Sequence, residues 1–294
     1  MLFRSEERII PPVKEVFSVH GTLSKEMAAR TGMKEGIPVS YKSGDQPNNA
    51  FSLNVLKPGE IAATAGTSGV VYGVMDRVSY DPLSRVNSFV HVNHTPDQKR
   101  IGVLLCINGT GILNSWLKNQ FFSGMDYESV NELAGSAPIG SGGLRFYPFG
   151  NGAERVLQNR DPGAMLKNLH FNKHQAAHVA RAAQEGIVFA LKYGIGIMEN
   201  MGLKLSTVRA GKANLFLSPL FAEAFSNSVG CRLELFNTDG ALGAARGAGR
   251  GAGIFSTEQD FFKGMDCLKA YEPSKELSSR YEEAYRDWLT DMDQ

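Results

Sequence analysis

The chain has 294 residues, 43% apolar and 21% charged, with 31 basic against 30 acidic side chains and a net charge of +1. That balance suits a globular fold with a sizeable core. It excludes a general electrostatic attraction to nucleic acid or an anionic membrane, so any phosphate must find a local site.

In chain order, residues 1–40 read as an irregular lead-in with a short helix over 22–31, and the main domain as 41–294. The opening "MLFRSEERII" is too charged for a secretion signal, and no apolar run reaches the ~18 residues of a membrane helix. The stretch "SGDQPNNAF" (43–51) is built of turn formers and, taken alone, reads as a turn. "IAATAGTSGVVYGVM" (61–75) is β-branched and small on both sides of a Gly-Thr-Ser-Gly turn, which predicts a hairpin. "RIGVLLCING" (100–109) has strand length and leads through Gly109-Thr110-Gly111 into a helix over 112–121. Residues 126–170 are mixed and contain the glycine-rich "GSGGLRFYPFGNGAER".

From 172 to 201, Ala180, Ala183, Ile187, Ala190, Leu191, Ile195 and Met198 recur every three or four positions, the stripe of a long helix. A short strand over 205–211, a helix over 216–228 and a strand over 231–236 follow. A small-residue helix then opens at Thr238 or Asp239 as cap, and a charged surface helix covers 274–292. Alternating strands and helices predict an α/β domain around a central sheet. Cys106, Cys231 and Cys267 show no zinc-ligand spacing and read as buried, inert thiols of a reducing cytoplasm.

Three strand-to-turn junctions share one chemistry: "AGTSG" (65–69), "NGTG" (108–111) and "RAGKAN" (209–214). Glycine lets successive backbone N–H groups approach an anion, Thr67 adds a hydroxyl, and helix N-termini favour negative charge. Neither a GxxxxGK[ST] loop nor a GxGxxG opening a βαβ unit is present. The residues alone therefore stop at an α/β domain with an anion pocket.

The ordered motifs "GDQPNNAF", "AATAGTSGVVYGV", "GTGILNSWL", "YPFGNGAER", "HQAAHVARAAQEGIVFAL" and "GALGAARGAG" resemble the C-terminal half of an FGGY-family carbohydrate kinase, from about residue 15 to the end. The resemblance implies a ribonuclease H-like, actin-like ATPase domain, one half of a two-domain sugar kinase with its active site in the cleft between the halves. It makes Asp45 the catalytic base, with Gln46 beside it near the sugar. Gly66, Thr67 and Ser68 fall at the transferred phosphate of ATP, and Gly111, Asn114 and Ser115 at nucleotide-contacting positions. Gly211 and Asn214 fall in the family's glycine-triplet loop beside the adenosine. Glu154 and Arg155 fall on a "GER" segment that lines the cleft, as a sugar contact or a local salt bridge. Mg²⁺ is expected on the ATP phosphates near Asp45, with no ligand set of its own.

Two departures stand out. No "D-x-G-T-T-S" phosphate loop occurs, so an N-terminal sugar-binding domain is the expected missing partner, and the chain alone is expected to be weakly active or inactive. Arg209 and Ala210 replace two glycines of the triplet, where a side chain would crowd the nucleotide or point elsewhere. The expected acceptor is a ketopentose such as D-xylulose, with glycerol, gluconate or ribulose as alternatives. A non-catalytic nucleotide-binding or interaction module is a further reading, and a homodimer is one option for an apolar face left by the absent domain.

The remaining polar motifs read as structural. They are the His91/His94 and His174/His178 pairs, the Arg181–Glu185 helix pair, a solvated Lys212, and a close-packed small-residue helix over 240–253 with Asp239 as cap rather than second base.

Overall fold

A computed structural model describes residues 12–292. The charged opening segment over 1–11, on which the leader reading rests, lies outside the described residues. The lead-in holds more structure than an irregular segment. β1 (Gly21–Thr22) pairs antiparallel with β2 (Pro38–Val39) around α1 (Lys25–Thr31), whose first turn is capped by the Ser24 hydroxyl.

"SGDQPNNAF" is not a turn. Asp45 opens helix α2 (Asp45–Ser52), for which Gly44 is the N-cap residue. Turn formers and first-turn helix formers overlap. Pro47 falls in the first turn, where its missing N–H costs nothing, and a carboxylate there suits the helix dipole.

The main sheet runs β11-β10-β9-β3-β4-β6-β5. Its members are β3 (Glu60–Ala65), β4 (Gly69–Met75), β5 (Asn87–Val90), β6 (Ile101–Ile107), β9 (Thr207–Gly211), β10 (Leu233–Phe236) and β11 (Cys267–Tyr271). β9 runs parallel to both β3 and β10, and the other pairings are antiparallel. A small hairpin of β7 (Arg145–Tyr147) and β8 (Met165–Lys167) lies apart from it. β5 and β11 have no counterpart among the predicted strands.

Successive strand residues face opposite sides. Ile61, Ala63, Val71, Leu105, Val208 and Leu235 pack into the larger core, whereas Ala62, Tyr72, Val74 and Phe236 meet Ala50 and Leu53 of α2. The larger core is covered by α5 (Ala176–Asn200), α6 (Pro219–Val229) and α9 (Lys275–Met292). α6 begins after a 3₁₀ turn at Asn214–Leu217, slightly later than predicted.

α9 is amphipathic as expected but is not merely a surface helix. Tyr281 and Trp288 are wholly buried, and the Trp288 Nε1–H donates to Phe146 O at 3.0 Å. On the other side of the sheet, α7 (Gly240–Gly251) packs on α2, with the Asp239 carboxylate accepting from Leu242 N at 2.9 Å. A Cβ at Gly243 would sit 2.7 Å from that of Ser52, so the small residues serve close helix contact. α3 (Gly111–Phe121), α4 (Tyr127–Gly135) and α8 (Glu258–Phe261) complete the set. Of the cysteines only Cys231 is buried; Cys106 is half-buried and Cys267 is exposed on an edge strand.

Candidate active site

Sheet register brings the three glycine junctions to one end. Ala65 pairs with Gly69, Gly69 with Ile107, and Ala63 with Ala210, so the β3–β4 turn, the end of β6 and the end of β9 lie side by side. The Gly111 N–H donates to Gly66 O at 2.8 Å, and the Ile112 N–H to Thr67 O at 3.2 Å. These amides at the start of α3 are therefore taken by the turn. Gly111 contributes closeness, since a Cβ on it would lie 2.2 Å from Gly66 O.

Around this junction opens a cleft of about 480 Å³, within the usual size range of small-molecule sites. Gly66, Thr67, Gly111, Asn114, Ser115 and Asn214 line it, six of the residues singled out from sequence. Tyr127 and Asn131 of α4 and Leu217 join them. Nothing in the mixed composition of that region signalled them. Ser68 points elsewhere, toward the Cys106 thiol.

Gly211 lines a smaller adjoining cavity of about 180 Å³ together with Asn49, Asp239 and, shared with the first, Ala65 and Asn214. One turn earlier on α2, Asn48 and Asp45 face an open basin with Tyr41, Lys42 and Ala244. α2 thus lies between the smaller cavity and the basin, and the smaller cavity adjoins the cleft through Ala65 and Asn214. Asp45 is exposed there, its Oδ1 accepting from Gln46 N at 2.8 Å, while the Gln46 amide stays close to the same carboxylate at 3.5 Å.

The two replaced glycines do not intrude. Arg209 leaves the sheet on the side away from the cleft, its Nε 3.2 Å from Glu234 and an Nη1 3.4 Å from Glu60, with a further bond to Asn54 O. Ala210 is buried in the core. Lys212 is exposed, as expected.

Glu154 departs from expectation. It is wholly buried and lines neither cavity, and Arg155 turns to Ser84 O at 3.4 Å, so there is neither a salt bridge between them nor a cleft-facing carboxylate. Its oxygens accept instead from Asn108 N at 2.9 and 3.1 Å. Burial pushes its carboxyl up to about 7, against the pull of the Asn108 and Gly109 amides.

The other polar motifs are structural. His91 follows β5 and is buried between Tyr72 OH and Val55 O, at 3.0 Å from each. His178 Nδ1 accepts from Gln175 N at 3.2 Å, and His174 Nδ1 from His170 N at 3.0 Å. Arg181 and Glu185 pair at 2.7 Å inside the protein. Among the described residues no group of three or more His, Cys, Asp or Glu is placed to hold a metal. Also among the described residues, no helix is long and apolar enough to cross a membrane.

Comparison with known proteins bears on the family and the fold. The chain is 27% identical over 293 residues to a xylulose kinase of Haemophilus influenzae, covering 98% of this chain and 57% of that protein. It is 28% identical over 190 residues to a gluconokinase of Bacillus subtilis, covering 61% of this chain and 35% of that one. The fold superposes on the crystal structure of a ligand-bound xylulose kinase from Lactobacillus acidophilus with a TM-score of 0.85 at 20% identity, covering 96% of this chain and 57% of that one. It also superposes on Plasmodium falciparum glycerol kinase with ADP, with a TM-score of 0.82 at 19% identity, covering 97% and 56%. The chain thus spans little more than half the length of the xylulose kinases it matches. Its fold is the mixed α/β, actin-like ATPase fold of these sugar kinases. Residues 61–252 match the C-terminal domain of the FGGY family of carbohydrate kinases, and the chain belongs to that family.

Proposed function

We propose that this chain supplies the nucleotide site and the catalytic base of a MgATP-dependent kinase for a sugar hydroxyl, with D-xylulose as first acceptor. Residues 41–294 act as the ATP-binding domain, residues 1–40 lead into it, and an N-terminal domain supplies most sugar contacts. The reading rests on one observation: the nucleotide-sized cleft at the Gly66–Thr67 turn shares Ala65 and Asn214 with a smaller cavity lined by Asn49 of α2, the helix that opens with the exposed carboxylate of Asp45.

Phosphoryl transfer needs a positioned acceptor, stabilised phosphate charge and a base for the hydroxyl proton. Asp45 takes the proton, and Gln46 sits beside it toward the sugar. Thr67 and the Gly66 turn hold the end of the triphosphate, and Asn114, Ser115 and Asn214 hold the nucleoside side. Mg²⁺, bound with the nucleotide, would neutralise phosphate charge. Xylulose kinases among the relatives favour a ketopentose, while gluconokinase and glycerol kinase keep those acceptors in the test panel. A pocket blunted by Arg209 and Ala210 has little support, since both side chains lie away from the cleft. A cytoplasmic setting belongs to the same proposal.

The test is calorimetric titration of the chain with MgATP, beside Thr67→Ala, followed by ADP release with each acceptor in a protein completed by an N-terminal domain. Binding that Thr67→Ala weakens, and acceptor-dependent ADP release only in the completed protein, are expected. Absence of MgATP binding in a folded chain contradicts the nucleotide site. Release by the chain alone contradicts the need for a partner domain.

A further inference from the structure

Glu154 is a buried carboxylate, and among the described residues no cation balances it. Asp161 nearby has the same sign, Arg155 reaches Ser84 O, and Arg160 turns its Nε to Leu157 O. From β6 the Cys106 thiol approaches, itself pushed up by burial. What holds the charged form is backbone N–H: Asn108 at 2.9 and 3.1 Å, with Gly109 beside it.

The same segment clasps Asn108 twice more. The Asn108 side chain donates to Ala153 O at 2.9 Å, and Asn151 donates to Asn108 O at 3.1 Å. Beyond Asn108 the backbone has no slack. A Cβ on Gly109 would lie 1.4 Å from Pro148 O, and the Gly111 N–H is held by Gly66 O at 2.8 Å. Wherever Asn108 sits, Gly66 and Thr67 follow within a few residues.

On the reading that this cleft binds MgATP, we propose that Glu154 is a positioning residue of the nucleotide site: its ionised carboxylate latches the Asn108–Gly111 turn and thereby sets the Gly66–Thr67 turn against the triphosphate. Burial pushes its carboxyl up to about 7, which puts the change of state of the latch near neutrality. Protonation turns one of the two acceptor oxygens into a hydroxyl and removes the charge that the Asn108 and Gly109 amides stabilise.

The experiment is calorimetric titration of MgATP into the chain and Glu154→Gln at pH 6 and pH 8. With binding confined to the ionised form, wild-type Kd rises about tenfold from pH 8 to pH 6, as the ionised fraction falls. Glu154→Gln, which does not titrate, binds more weakly at pH 8 and keeps the same affinity at pH 6. A wild-type Kd equal at both pH values overturns the proposal, as does a folded Glu154→Gln with the wild-type affinity and pH ratio. Hydrogen exchange over 108–112 without nucleotide at pH 8 gives a second reading. Faster exchange in Glu154→Gln at an equal or higher thermal midpoint supports the latch, and equal exchange overturns it. A chain that binds no MgATP at either pH sinks the nucleotide reading and the role assigned to the latch with it, while the exchange measurement still reports whether Glu154 holds the turn.

Discussion

The Gly111 N–H donates to Gly66 O across 2.8 Å, so the first residue of α3 is bonded to the β3–β4 turn. A Cβ on Gly111 would stand 2.2 Å from that carbonyl. Gly111→Ala must therefore push the two turns apart. We expect a stability loss of about 1–3 kcal/mol by denaturation and MgATP binding weakened at least tenfold by calorimetry. Gly124→Ala, where a Cβ meets nothing within 4 Å, is the control and changes neither.

Asp45 is exposed in the open basin, and among the described residues its carboxylate is bonded to its neighbour Gln46 alone. Asp45→Asn keeps the shape and removes the base. In the completed enzyme kcat falls by about 10²–10⁴-fold, the usual contribution of a positioned base. The affinity of this chain for MgATP stays unchanged in the same variant. A kcat equal to that of wild type rules Asp45 out as the base.

Arg209 joins Glu234 and Glu60 across neighbouring strands, and both carboxylates are largely shielded from solvent. Arg209→Ala takes the cation from Glu60 and leaves Glu234 with Arg232 at 2.9 Å, at a cost of about 1–3 kcal/mol, less than a fully buried pair. Since the guanidinium lies away from the cleft, Arg209→Ala and Arg209→Gly leave MgATP affinity as it was. Tighter binding by the glycine variant would show that the side chain reaches the nucleotide.

Arg181 and Glu185 are both buried one turn apart, and Glu185 also accepts from Gly140 N and Ser141 Oγ. Burial pushes the Glu185 carboxyl up, while Arg181 pulls it back. Arg181→Met leaves an uncompensated buried carboxylate and costs about 3–5 kcal/mol. Adding Glu185→Leu recovers part of that loss, which a double-mutant cycle in urea reads directly.

His91 gives the fold an acid-sensitive limb. Burial holds its imidazole down at about 4, neutral between Tyr72 and Val55. In the unfolded chain it takes a proton near its ordinary value of about 6.5, so its stabilisation is full above that pH. The stabilisation, about 3 kcal/mol in all, is lost as pH falls from about 6.5 through about 4. Glu154 runs the other way: its folded value is raised, so its contribution is full at low pH and lost as pH rises through about 7. Thermal melts across this range should show the acid slope in wild type and Glu154→Gln, and a smaller slope in His91→Gln.

Much of the site was legible because its chemistry is local. Glycine turns after apolar runs mark where backbone can approach a ligand, and Gly66, Thr67, Gly111 and Asn214 came to one cleft. Asp45 was legible as a candidate but not its setting, because Gly, Asp, Pro and Asn serve a turn and a first helical turn equally well. Tyr127 and Asn131 carried no signal. They reach the cleft only because α4 packs on α5 and α6.

The amino-acid sequence by itself determined the alternation of strands and helices, the glycine junctions and the long stripe of α5, all set by local sterics and by apolar periodicity within a few turns. Only the tertiary structure decided that Arg209 turns to Glu234 and Asn54, that Glu154 faces Asn108 rather than the cleft, and that Trp288 of a charged helix is buried against Phe146. Each of these depends on a partner tens to more than a hundred residues away. A side chain's direction follows the register and packing that bring such partners together, and neighbouring residues do not encode it.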